Sequence, residues 1–149
     1  NFSEFLGFHR NRRPRGTSIT MMTFRTPLPT TCGIVEIDGK GVVQSFHEKI
    51  ENPPGNLANG AVYLLEPEVS AWIGGRRFVR DFSTQVIPHF LGRIATWENR
   101  GFHRDIGMIQ SLLAAQSDPQ PVSCWDASDS WSRAFESQPV HHQLVGELN

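Results

Sequence analysis

Three short stretches gather the side chains most able to do chemistry. In "FHEK", residues 46–49, a carboxylate and an ammonium stand side by side at the end of an apolar run. In "NGAVY", residues 59–63, an amide opens the next apolar run, and in "FHRDIGM", residues 102–108, Asp105 stands directly ahead of a helical pattern. A carboxylate accepts from two neighbouring hydroxyls, an ammonium meets a phosphate, and an amide serves either. Converging, they would suit a small ligand that is both charged and rich in hydroxyls. Each also has a plainer reading. Glu48 and Lys49 form a surface ion pair worth under about 1 kcal/mol, Asn59 serves a turn, and Asp105 caps the following helix. As a Mg2+ ligand Asp105 needs a second carboxylate, because Mg2+ takes carboxylate oxygens together with substrate phosphates and water.

The elements that must position these groups follow from periodicity. "NFSEFLGFHRNRR" carries Asn1 and Glu4 at capping-box spacing, Phe2, Phe5, Leu6 and His9 at helical spacing and arginines at the end, where cations suit the dipole. "TSITMMTFR" reads as a buried strand. "GIVEIDGKGVVQSFHEK" reads as a β-hairpin turning at Asp38-Gly39-Lys40-Gly41. "LANGAVYLL" predicts a further strand, "PEVSAWI" a helix opened by Pro67 and ended at Gly74-Gly75. "DFSTQVIPHFLGR" predicts a helix burying Phe82, Val86, Phe90 and Leu91 and broken late by Pro88. "RIATWE" predicts a short strand, and "IGMIQSLLAAQ" a helix with Ile106, Ile109, Leu112 and Leu113 inside. From Ser117 the pattern fails, which gives a loosely ordered or docked polar tail over 117–149. Strands alternating with helices, interrupted by a hairpin, predict an α/β fold: αβα layers around a mixed sheet.

Bulk properties narrow the classes. With 149 residues, 38% of them hydrophobic, the chain is the size of one globular domain. A net charge of −1 gives no general attraction to nucleic acid or anionic membrane. The basic run "HRNRRPR" lacks interleaved aromatics and reads as a solvated helix end. No apolar run nears the ~20 residues of a membrane span. Cys32 and Cys124 have no metal-ligand spacing; their even number allows a disulfide, and the preferred reading is two free thiols in a reducing cytoplasm. His141-His142 and the tail tryptophans Trp125 and Trp131 carry no spacing that points to a site.

The ordered set "CGIVEID", "FHEK", "NPPGNLANGAVYLL", "DFSTQVIP" and "FHRDIGM" resembles the C-terminal half of the sugar-phosphate nucleotidyltransferases over residues 1–116. "RDIG" with "NPPGNLANG" is most similar to the mannose- and heptose-1-phosphate guanylyltransferase branch. The resemblance implies a Rossmann-like fold and a reaction joining a nucleoside triphosphate, GTP favoured, to a sugar 1-phosphate with release of pyrophosphate. It implies that Glu48 binds sugar hydroxyls, Lys49 binds phosphate, Gly33 lets its backbone approach the sugar and Asn59 adds an amide. It further implies that Asp105, followed by Gly107, binds the catalytic Mg2+. Ile50 and Met108 stand where the family carries Pro and Thr.

The family also uses a Gly-rich loop after its first strand and a Gly-Asp step further on to hold the nucleotide and metal. This sequence contains neither, and "WIGGRRF" follows a predicted helix instead of a strand. With Asn1 as its first residue, the chain reads as a member cut near its middle, with little transferase activity alone. Two further readings stay open: a non-catalytic sugar-phosphate-binding module, and an assembly domain whose unpaired strand edges recruit another chain, including a second copy of itself.

Overall fold

The computed structural model describes residues 2–104, 106 and 109–118. The chain divides into two units, Asn1–Ala115 and Gln116–Asn149, and the elements below belong to the first. In order they are α1 (Phe2–Asn11), β1 (Ile19–Arg25), a 3-10 turn at Pro29–Thr31, β2 (Gly33–Ile37), β3 (Val43–Glu48), β4 (Leu57–Leu65) and α2 (Pro67–Gly74). A π-helical turn (Phe82–Val86), a 3-10 turn (Ile87–Phe90), β5 (Ile94–Glu98) and α3 (Ile109–Ala115) complete it.

The sheet order is β3-β2-β4-β1-β5. β1 is antiparallel to β4 and parallel to β5, so the sheet is mixed, as the interrupted strand–helix alternation predicts. β1 reads as a continuous apolar run because both of its faces are covered. On one face Ile19 and Met21 pack with Val69 of α2 and with Val86, Ile87 and Phe90 of the two short turns. On the other, α1 lays Phe5 against Trp97, ring centroids 5.3 Å apart, and His9 donates or accepts at the Thr20 hydroxyl at 2.8 Å.

The hairpin turn forms at Asp38–Gly41. One Asp38 carboxylate oxygen accepts from the backbone N–H of Lys40 at 2.8 Å and of Val42 at 2.9 Å, and Gly41 supplies a φ of +76°. These two bonds, that to Val42 first, hold the Asp38 carboxyl below its ordinary pKa. β2 pairs with β4 in the ladder at Ile34 and Ala58. The far end of the hairpin reaches β5, where Thr96 N–H donates to Gly41 O at 2.9 Å and Val42 bridges Ala95. The hairpin therefore extends one side of the sheet through β2 while its turn also reaches β5.

Two expectations for the helices are corrected. Residues 82–90 form two tight turns in place of one helix. Asp81 starts the first by accepting from Thr84 N–H at 2.6 Å, and Pro88 falls in the opening turn of the second, where its missing N–H costs nothing. Val86, Ile87 and Phe90 are buried there, whereas Leu91 is exposed and Phe82 half-buried. The second correction concerns α3, which forms over Ile109–Ala115 and leaves Ile109, Leu112 and Leu113 exposed, as is Ile106 ahead of it. A helical period identifies an apolar face; it does not supply anything to cover it. In α1, likewise, Phe5 and His9 are buried while Phe2 and Leu6 face outward.

Candidate functional site

Gly33 begins β2 directly opposite Glu48, which ends β3. A Cβ on Gly33 would lie 2.5 Å from Phe46 Cζ and 2.8 Å from Glu48 Oε2, so any larger residue would have to push those two side chains aside. The close approach that the sequence assigned to a ligand is here made by the protein's own Phe46 and Glu48.

Lys49 follows with a φ of +49°. Strand alternation would send Glu48 and Lys49 to opposite faces. The left-handed backbone cancels that alternation, and Lys49 Nζ comes to 3.9 Å from Glu48 Oε1. The new direction is anchored by Lys49 N–H donating to Cys32 O at 3.3 Å.

Asn59 lies opposite Thr23 of β1, and Tyr63 lies opposite Met21. Between them β4 bulges, with Ala61 at a φ of +55°. Asn59 Oδ1 accepts from Ala61 N–H at 3.0 Å, fixing the bulge, while Asn59 Nδ2 donates to the Tyr63 hydroxyl at 2.7 Å. The amide that the sequence offered to a ligand is thus largely spent on holding Tyr63.

Tyr63 stacks on Phe82 with ring centroids 4.2 Å apart. Burial pushes its phenol pKa up; the hydrogen bond from Asn59 opposes this, the Glu48 charge adds to it, and a hydrogen bond with Ser83 opposes it again. Asp81 is drawn below the carboxylate range by its bonds to Thr84, with a smaller contribution from the Lys49 charge. Glu48, Lys49, Asn59, Tyr63, Asp81 and Ser83 therefore share one electrostatic neighbourhood. Tyr63, Asp81 and Ser83 were missed as site residues in the sequence; "NGAVY" and "DFSTQ" held them, but one was read for its Asn and the other as a plain helix.

The same end of the sheet continues across β1 and β5, since Arg25 pairs with Leu57 and Thr23 with both Asn59 and Glu98. There Arg25 reaches Asn56 Oδ1 at 3.0 Å and Glu98 at 3.4 Å, and the Phe24 ring packs tilted against His103, centroids 4.2 Å apart. These are the carboxyl ends of the parallel pair, the place where open α/β sheets bind ligands. Asp105 lies outside the described residues. Among those residues no three His, Cys, Asp or Glu side chains are grouped to hold a metal ion.

The domain is thus an α/β domain with a mixed sheet that presents paired charges, an oriented amide and a phenol at one end. The sequence model of the family described as Nucleotidyl transferase matches residues 1–120, and the chain belongs to that family. It is similar to a glucose-1-phosphate adenylyltransferase of Clostridium acetobutylicum, 28% identical over 133 residues that cover 79% of this chain and 33% of that protein. A second, from Thermomicrobium roseum, is 33% identical over 126 residues, 76% of this chain and 29% of that protein. The chain thus spans about a third of the length of the curated relatives it matches. A crystal structure of a putative glucose-1-phosphate thymidylyltransferase from Bacillus anthracis shares the fold, with a TM-score of 0.61 and 17% identity, covering 81% of this chain and 50% of that one.

Proposed function

We propose that this chain supplies the sugar 1-phosphate side of a nucleotidyltransferase reaction. In that reaction a sugar phosphate oxygen attacks the α-phosphorus of a nucleoside triphosphate, the new phosphate–phosphate link forms, and pyrophosphate leaves. Catalysis of this kind rests on positioning and charge neutralisation. The observation that carries the reading is the left-handed turn at Lys49, which puts its ammonium and the Glu48 carboxylate on one side of the hairpin end. Glu48 would accept from vicinal sugar hydroxyls and Lys49 would turn from Glu48 to the phosphate. Asn59 acts by fixing Tyr63 beside them.

Asp105 is the residue we propose for Mg2+, which when bound would neutralise phosphate charge. One carboxylate makes a weak Mg2+ site, and the sequence holds neither a Gly-Asp step nor a Gly-rich loop after a strand. The triphosphate grip and the second carboxylate are therefore assigned to other polypeptide, and the 149-residue chain is expected to turn over little by itself. For the nucleotide, the resemblance points to GTP whereas the names of the matched relatives say adenylyl, so both enter the test.

The test is calorimetric titration of the chain with glucose 1-phosphate and mannose 1-phosphate, with and without Mg2+, beside a pyrophosphate-release assay with ATP and GTP. Saturable sugar 1-phosphate binding lost in Glu48→Gln supports the reading. No binding of either sugar phosphate sinks it, and substantial turnover by the chain alone sinks the assignment of the triphosphate grip elsewhere.

A further inference from the structure

A cavity of about 570 Å3 lies at the end of α2 against the π-helical turn and is lined by Trp72, Gly75, Arg76, Arg77, Phe78, Val79 and Gln85. That volume is in the range of small-molecule sites. We infer that this cavity binds a small organic anion with an aromatic body, at a place separate from the sugar 1-phosphate residues.

Three features of different kind point the same way. The first is charge: Arg76 and Arg77 line the cavity and no carboxylate does. Asp81, the nearest acid along the chain, is occupied by the N–H and hydroxyl of Thr84, each at 2.6 Å. The second is an orphan donor. Trp72 Nε1–H is buried with no acceptor among the described residues, a cost that an acceptor-bearing ligand removes where a small shift of the lining opens the indole edge to the cavity. The third is exposed aromatic surface: Phe78 stands 84% exposed at the rim, and Arg76 already sits over Trp72, its Cζ 4.1 Å from the ring centroid. A planar ligand would continue that stack on the outer face of the guanidinium.

The cavity wall is built, not a loose loop. Gln85 Oε1 accepts from Arg80 N–H at 2.7 Å and Asp81 N–H at 2.9 Å, and its Nε2 donates to Phe78 O at 3.3 Å. Arg76 Nη1 donates to Trp72 O at 3.0 Å. The glycines of "WIGGRRF" only end α2, so phosphate recognition here falls to side chains and not to a backbone cradle.

Phenyl phosphate is the probe, read by the indole 1H–15N resonance of Trp72 in the 149-residue chain, assigned by its loss in Trp72→Phe. The expected result is a saturable shift, with affinity reduced about tenfold or more in Arg77→Ala and partly kept in Arg77→Lys. Inorganic phosphate and phenol, each lacking one half of the ligand, bind more weakly than phenyl phosphate. Arg77 is exposed, so the variant keeps its fold, checked by circular dichroism. The inference is overturned by no shift, by an unchanged response in Arg77→Ala, by phenol matching phenyl phosphate, or by displacement of phenyl phosphate with glucose 1-phosphate. An unchanged phenyl phosphate titration in saturating glucose 1-phosphate supports two separate sites.

Discussion

Lys49 Nζ stands 3.9 Å from the carboxylate of Glu48, the residue immediately before it, although neighbours in a strand point apart. The pairing exists because Lys49 takes a φ of +49°, a conformation that costs a non-glycine residue about 1–2 kcal/mol. A fold that keeps such a residue at a sheet end is storing strain where two charges must face one way.

Lys49 should therefore separate stability from binding. Lys49→Gly relieves the backbone and raises the denaturation midpoint above that of Lys49→Ala. Both variants weaken sugar 1-phosphate binding roughly tenfold or more by calorimetry, because a charge-assisted bond is lost.

Gly33→Ala tests the crossing of Phe46 and Glu48 over the β2 backbone. With a Cβ 2.5 Å from the Phe46 ring, the variant should lose about 1–3 kcal/mol in urea denaturation. Adding Phe46→Leu should recover part of that loss, and no recovery would mean that the ring is not the obstacle.

Tyr63 is the chain's single tyrosine, so its titration is visible at 295 nm without overlap. Burial raises its pKa above 10.0, so folding favours the neutral phenol. Stability is whole below pH 10.0 and falls as pH rises through the folded value. Tyr63→Phe should abolish this alkaline decline, and in the titration Glu48→Gln should bring the phenol partway back toward its ordinary value.

His9 gives the opposite limb. Burial first and the Arg13 charge second lower its pKa from 6.5, against the opposing pull of Glu66, whose Oε1 is 3.1 Å from Nε2. A depressed folded pKa contributes stability above pH 6.5 that is lost as pH falls through the folded value. His9→Gln should flatten the stability–pH curve in that window while leaving sugar 1-phosphate binding unchanged.

What the sequence disclosed and what it withheld divides along a physical line. The hairpin was readable because its turn is local: Asp38 caps it and Gly41 supplies the positive φ within four residues. The mixed sheet followed from the alternation of elements. That Glu48 and Lys49 would face the same way was expected from the adjacent charges at a strand end, but the means, a left-handed lysine, was not readable because no residue type announces it. Tyr63 was hidden by the β4 bulge, which belongs to strand pairing with Met21 and Thr23. Residues 82–90 were misread because helical spacing outweighed the cap at Asp81 and the position of Pro88. The Asp105 expectation falls outside the described residues.

The contact of Gly41 and Val42 with Ala95 and Thr96 bears on how the molecule is made. A hairpin whose tip leans on the last strand cannot settle until that strand exists, so on the ribosome it must wait for some fifty further residues. A contact this distant in sequence is expected to slow folding relative to one resting on the local turn alone. A chain stopped before Ile94 would emerge with its inner wall wet.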